Sequence, residues 1–263
     1  MNALLEVSDA TKTYRGRDRS LISALNGVSL AINTDRRIGI IGESGSGKST
    51  LVRLLLGLEA PSTGNVRFRG SEVSTLRGSE RDTFRREVQL VSQDTSSSFD
   101  PLRTLRDAVR RPATELLGMS KTDADAAVDA VLESLAVDRS LAERRPGQVS
   151  GGQRQRFAIA RALIVKPKIL VCDESVSALD VSVQGAVLNE IKHYTEQAGA
   201  GLVFVSHGVP ATAFVSDELA VMNRGDMVEL GPTGRVVWTP RHPYTARLIE
   251  AYRALSADAS EAA

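Results

Sequence analysis

The sequence predicts an α/β fold with a parallel core sheet and an inserted helical subdomain, and three features predict it. The apolar run "RIGII" (37–41) feeds a glycine-rich loop and then the dense apolar spacing of a buried helix, "STLVRLLLGLEA" (49–60). Between about 95 and 145 the chain turns helical and charged. After 165, the short apolar runs "KILVCDE", "GLVFVSH" and "ELAVMNRG" are separated by the helical stretch "VSVQGAVLNEIKHYTEQAG". Strands that alternate with helices pair in parallel through crossovers.

Taken in order, residues 3 to about 40 alternate polar and apolar ("LLEV", "SLAI", "RIGII") around the polar stretch "RGRDRS", so strands joined by a loop are expected. "APSTG" stops the first buried helix with proline and glycine. In "SKTDADAAVDAVLESLAV", Ser120 or Thr122 caps a helix that places Val128, Val131, Leu132 and Leu135 on one face. The tail "SADASEAA" is small and polar and is expected to fray.

Bulk properties exclude several function classes. With 263 residues and 42% hydrophobic content the chain can bury one large core. Its 33 basic residues nearly balance 32 acidic ones, leaving +1, so no global positive field recommends nucleic acid as a partner. The arginine pairs Arg85-Arg86, Arg110-Arg111 and Arg144-Arg145 read as solvated faces or local salt bridges. A single cysteine, Cys172, rules out an internal disulfide and a cysteine-built metal site, and its apolar run makes it a buried small hydrophobe. The N-terminus shows no signal-peptide pattern, and no apolar run reaches the roughly 18 residues of a membrane span. A cytoplasmic chain is expected, reaching any membrane through other subunits.

Two stretches are built to hold phosphate. "GESGSGKST" (42–50) matches G-x-x-x-x-G-K-[ST] in the required place, after a strand and opening a helix. Gly45 and Gly47 let the backbone wrap the phosphates, Lys48 supplies a point charge to the β- and γ-phosphates, and Ser49 offers a hydroxyl to Mg²⁺. Gly42, Ser44, Ser46 and Thr50 complete the loop. "ILVCDE" delivers Asp173 to a strand end, where it can hold the Mg²⁺ shell, followed by Glu174, able to orient and partly deprotonate an attacking water. The second stretch, "QVSGGQ" (148–153), sets Ser150, Gly151, Gly152 and Gln153 at a helix start, where backbone N–H groups face an anion. It lies about a hundred residues from the first and has no lysine.

With these motifs the chain resembles the ATP-binding subunits of ABC transporters over about residues 4 to 250, "VSGGQ" resembling the family's signature. The resemblance implies an α/β P-loop NTPase of the ABC ATPase type, with a parallel core sheet, an N-terminal antiparallel β subdomain and an inserted helical subdomain. An ATP-binding domain over 1–240, a helical subdomain at about 94–165 and a short C-terminal extension at 241–263 follow from it. In the family two ATPase domains pair head to tail, so Ser150 and Gly152 would serve the partner's ATP while the partner's signature serves the ATP on Lys48. The same resemblance makes Tyr14 the aromatic that stacks on adenine, and Gln93 the glutamine tying Mg²⁺ and water to the helical subdomain. It also makes Asp180 the residue of a loop ("SALD") crossing the dimer interface, and His207 the switch histidine at the γ-phosphate. Val149, Ser175 and Gly208 stand where leucine, proline and aspartate are usual; none removes a catalytic group.

"FRREVQLVSQD", "FDPLRTLRDAV", "SVSALDVSVQ" and above all "PRHPYTARLIEAY" resemble the ATPases of bacterial peptide and nickel importers. The resemblance implies ATP hydrolysis, with ATP and Mg²⁺, that drives import of a peptide, nickel or a metal chelate. The implied partners are a second, non-identical ATPase subunit, two membrane permeases and, indirectly, an extracytoplasmic solute-binding protein, at the cytoplasmic face of the plasma membrane. The chain stops without a cysteine-rich extension, which points to the shorter of two unequal ATPases. The alternative is a non-transport ABC ATPase, either regulatory or acting in nucleic-acid maintenance. Such a maintenance ATPase needs a long coiled-coil insertion between its nucleotide motifs, and about a hundred mixed residues lie there.

Overall fold

The computed structural model describes residues 3–16, 20–92, 97–173 and 181–261. In chain order its elements are β1 (Leu5–Arg15), β2 (Leu21–Ile32), β3 (Arg37–Ile41), α1 (Lys48–Leu55), β4 (Thr63–Phe68), β5 (Ser71–Glu72), α2 (Gly78–Glu87), β6 (Val88–Ser92), α3 (Leu105–Leu117), α4 (Lys121–Ser134), α5 (Gly151–Leu163), β7 (Ile169–Asp173), α6 (Val181–Ala198), β8 (Gly201–Val205), α7 (Val209–Val215), β9 (Glu218–Asn223), β10 (Asp226–Pro232), α8 (Thr233–Trp238) and α9 (Pro243–Glu261). They divide into two compact units, Met1–Thr75 with Gly201–Ala263, and Leu76–Ala200.

In the first unit, β1 lies antiparallel between β2 and β4 in a sheet ordered β2-β1-β4-β5. Register follows from alternation: Val7 faces Leu30 and Val66, and Leu5 faces Ile32 and Phe68, so one row of buried side chains crosses three strands. The same unit holds four more strands in the order β10-β9-β3-β8, with β3 parallel to both β8 and β9, and β10 antiparallel at the edge. Leu202, Val203, Phe204 and Val205 of β8 are all fully buried, the unbroken apolar run of a strand covered on both faces. Each such side chain contributes roughly 1.5–3 kcal/mol relative to exposure. Helix α9 adds Tyr244, Leu248 and Ile249 to a cluster with Ile41, Val221 and Val236. Its helical backbone continues to Glu261, through the tail whose composition suggested fraying.

The second unit pairs β6 and β7 in parallel, Val88 opposite Ile169 and Ser92 opposite Asp173. Thr104 caps α3 and Ser120 caps α4, each accepting a backbone N–H three residues on, which decides between Ser120 and Thr122. Val128, Leu132 and Leu135 are buried as the spacing requires, while Val131 is only partly so. Arg110 pairs with Asp107 and Asp125, and Arg111 with Glu115, so these arginines are spent locally. Cys172 is buried in β7. Among the described residues no helix is long and apolar enough to cross a membrane.

Candidate functional site

Strand β3 ends at Ile41 and the chain folds into a tight loop before α1 begins at Lys48. Two glycines permit the path. A Cβ on Gly42 would stand 2.2 Å from the Met222 carbonyl oxygen, and one on Gly47, at φ 104°, would stand 2.4 Å from that of Ala24. The Ser46 N–H donates to the Glu43 carbonyl, and Gly47 accepts the first helical bond, from Leu51. The leading N–H groups of α1 are thereby left without intrahelical partners, as at any helix start. Lys48, only 4% exposed, lays its ammonium back over the loop and donates to the carbonyls of Gly42 (2.7 Å) and Glu43 (2.8 Å) and to Ser46 Oγ (3.4 Å). Glu43, Ser44 and Gly45 form the exposed lip, Ser49 is half-buried and Thr50 buried.

The loop is braced from outside. Arg224 and Gly225, both at positive φ, make the two-residue turn between β9 and β10. The Gly225 N–H donates to the Ser46 carbonyl at 3.0 Å, while Asn26 N–H donates to the Gly225 carbonyl at 2.9 Å. On the other side the Glu43 N–H donates to the Tyr244 hydroxyl of α9 at 3.2 Å.

Tyr14 sits near the end of β1 opposite Ile22, which with Leu21 is among the exposed large hydrophobic residues. Its hydroxyl donates to Glu59 at 2.7 Å, and this bond, with Lys12 and Arg53 nearby, holds the Glu59 carboxyl below the usual range. The Lys12 ammonium lies 5.3 Å from the centre of the Tyr14 ring. His207 follows β8, half-buried, and its carbonyl accepts the Tyr252 hydroxyl. After it, Gly208 donates to Ser206 Oγ and accepts from the Thr212 hydroxyl, so the residue standing in place of aspartate starts α7 without a side chain.

In the second unit Asp173 closes β7 with its Oδ1 shielded from solvent. At the start of α5, Ser150 Oγ accepts the Gln153 N–H at 3.2 Å while Gln153 Oε1 accepts the Ser150 N–H at 2.9 Å, a reciprocal cap. The hydroxyl hydrogen of Ser150 remains available to a further acceptor. Gly151 is exposed and Gly152 half-buried. Arg154 donates to the carbonyls of Pro146 and Val149, fixing the approach to the cap, and Val149 is 8% exposed, so the change from leucine keeps an apolar packing role.

A family model described as "ABC transporter" matches residues 25–177. The chain belongs to the ABC transporter family. It is 39% identical over 257 residues to the oligopeptide transport ATP-binding protein OppD of Mycobacterium tuberculosis, covering 95% of this chain but 42% of that protein. Against the nickel import ATP-binding protein NikE of Escherichia coli, identity is 39% over 236 residues, with 88% of each chain covered. Among solved structures, the ATP-binding cassette MJ0796, dimeric in a post-hydrolysis state with ADP and Pi, is 28% identical with a TM-score of 0.78, over 87% of this chain and 98% of that one. The expected α/β architecture of an ABC cassette, with an antiparallel N-terminal sheet and helical insertions, is the one observed.

Within the ABC chain's first unit the loop residues Gly42, Ser44, Gly45, Ser46, Gly47, Lys48, Ser49 and Thr50 form one continuous structure, with Tyr14 on β1 and His207 two residues past the end of β8 in that unit. The second unit holds Asp173, Ser150, Gly151, Gly152 and Gln153. Gln93, Glu174 and Asp180 lie outside the described residues. The reciprocal cap has a signature in the sequence, serine and glutamine three apart, whereas Asn26, Gly225 and Glu59 carry no local signal. Tyr244 and Tyr252 lie within "PRHPYTARLIEAY", where no residue pattern marks them out.

Proposed function

We propose that this chain is an ATP-hydrolysing subunit that powers import of a small solute, a peptide, nickel or a metal chelate, through separate membrane permeases. The observation that carries the proposal is the buried ammonium of Lys48, held over the glycine-rich loop by the carbonyls of Gly42 and Glu43 at the start of α1. The likeness to OppD, an oligopeptide transport protein, supports transport as the process served, and that to NikE, a nickel import protein, supports import. The proposed domain runs over 1–240 with its helical subdomain at about 94–165 and a short extension at 241–263.

In this reading Tyr14 stacks on adenine, with Ile22 and Leu21 offering adjoining apolar surface. Lys48 and the first-turn N–H groups of α1 hold the phosphates. Glu174 accepts a proton from the attacking water, His207 contacts the γ-phosphate, and Gln93 links the site to the helical subdomain. The oxygens of Ser49 and Asp173 are the hard donors Mg²⁺ prefers. That ion keeps waters and phosphate oxygens in its shell, so it needs no cluster of three acidic or imidazole ligands, and none occurs among the described residues. When bound, Mg²⁺ supplies charge neutralisation at the transferred phosphoryl group. Ser150, Gly151, Gly152 and Gln153 serve the ATP of a second, non-identical ATPase subunit, and Asp180 lies at that interface. Association with the cytoplasmic face of the membrane is peripheral, through two permeases fed by a solute-binding protein. The test is uptake of a labelled oligopeptide, of nickel and of a metal chelate by cells carrying or lacking the chain. Loss of one of these uptakes, restored by wild type but not by Lys48→Ala, is expected; unchanged uptake of all three would refute the import reading.

A further inference from the structure

The stretch "RHPYTARLIEAY" carries its own construction. Glu229 of β10, 8% exposed, accepts the backbone N–H groups of Arg241 and His242 and the guanidinium of Arg235. His242 Nδ1 in turn accepts the Tyr244 N–H, and Pro243 begins α9 with the fixed φ suited to a first turn. This staple fixes the start of α9, whose inner stripe carries the buried Tyr244, Leu248 and Ile249 and the partly buried Tyr252 packed against them. Tyr244 accepts the N–H of Glu43, the residue whose carbonyl receives Lys48 Nζ. Tyr252 donates to the carbonyl of His207. Burial raises both phenols above their ordinary range, with the Glu43 charge adding to the rise, so both stay neutral.

We infer that Tyr244 and Tyr252 are positioning residues, one setting the phosphate loop and the other the His207 switch, so that α9 links the two within a single rigid helix. The inference rests on the proposed roles of Lys48 and His207. The two tyrosines act on different steps: Tyr244 on nucleotide affinity through the loop, Tyr252 on turnover through the histidine. Phenylalanine fills the same apolar volume and deletes only the hydrogen bond, whose loss corresponds to about 2- to 12-fold.

The test uses the full chain co-expressed with its partner subunits, titrated with MgATP for phosphate release and, as the purified full chain, for nucleotide binding. Tyr244→Phe is expected to raise KM and the dissociation constant by about 2- to 12-fold with kcat nearly unchanged. Tyr252→Phe is expected to lower kcat by a similar factor with KM nearly unchanged. A structural role alone predicts no such split: KM and kcat moving together in both variants, or neither moving, would overturn the inference. Lys48→Ala and His207→Ala run alongside. Turnover untouched in those two overturns the site reading and this inference with it; turnover lost in them, with both phenylalanine variants at wild-type values, overturns the inference alone.

Discussion

Replacing Ser150 separates the two jobs its side chain can hold. Its Oγ accepts the Gln153 N–H at 3.2 Å and so caps α5. Ser150→Ala deletes that acceptor, which costs about 1 kcal/mol at an N-cap, or roughly 2–4 °C in melting temperature for a chain of this size. Ser150→Asp keeps an acceptor and adds a charge favourable to the helix dipole, so its melting temperature should stay at the wild-type value or slightly above. At an anion site the order inverts. A carboxylate about 5 Å from a phosphate charge is opposed by ~3 kcal/mol at an effective dielectric of 20, or about 10²-fold. In the assembled complex, hydrolysis should therefore rank Ser, then Ala, then Asp, while stability ranks Asp and Ser above Ala. Melting curves on the full chain and phosphate release by the complex read the two scales. An aspartate variant that hydrolyses ATP as wild type does would refute the trans phosphate site; an alanine variant that melts with wild type would refute the cap.

Gly47→Ala should destabilise the chain and weaken ATP binding together, because the new Cβ meets the Ala24 carbonyl oxygen at 2.4 Å on a backbone at φ 104°; thermal melting with and without ATP checks it. Tyr14→Ala should weaken nucleotide binding by about 5- to 150-fold, the range of a lost base–aromatic stack, while Tyr14→Phe loses only the bond to Glu59 and binds near wild type in the same titration. Glu229 is pulled up by burial but carried below the usual carboxylate range by the bonds from His242, Arg241 and Arg235. A depressed acid stabilises above its unfolded pKa and stops doing so as pH falls through its folded value. The melting-temperature gap between wild type and Glu229→Gln should accordingly be widest near neutrality and close as pH drops below about 4.

The phosphate loop was legible because its spacing is local: Lys48 folds back on the carbonyls of Gly42 and Glu43 in its own loop, whereas the Met222 and Ala24 carbonyls that demand glycine at 42 and 47 come from distant strands. The parallel strands β7, β8 and β9 announced themselves as apolar runs, since strands covered on both faces have no polar alternation to hide in. β4, β5 and β10 did not, being short or at an edge with a mixed pattern. The bracing of the loop by Asn26, Gly225 and Tyr244 joins residues up to 201 positions apart and has no sequence period to reveal it. The cap at Ser150 was legible in principle, but the glycines after it suggested an anion site first.

Phosphate release by the co-expressed complex with MgATP, wild type against Lys48→Ala, tests the account most directly. Removing the buried ammonium leaves the cradle without its cation, and turnover is predicted to fall at least about 10²-fold, with ATP affinity falling alongside. Turnover and affinity within about twofold of wild type would contradict the assignment of the nucleotide to this loop.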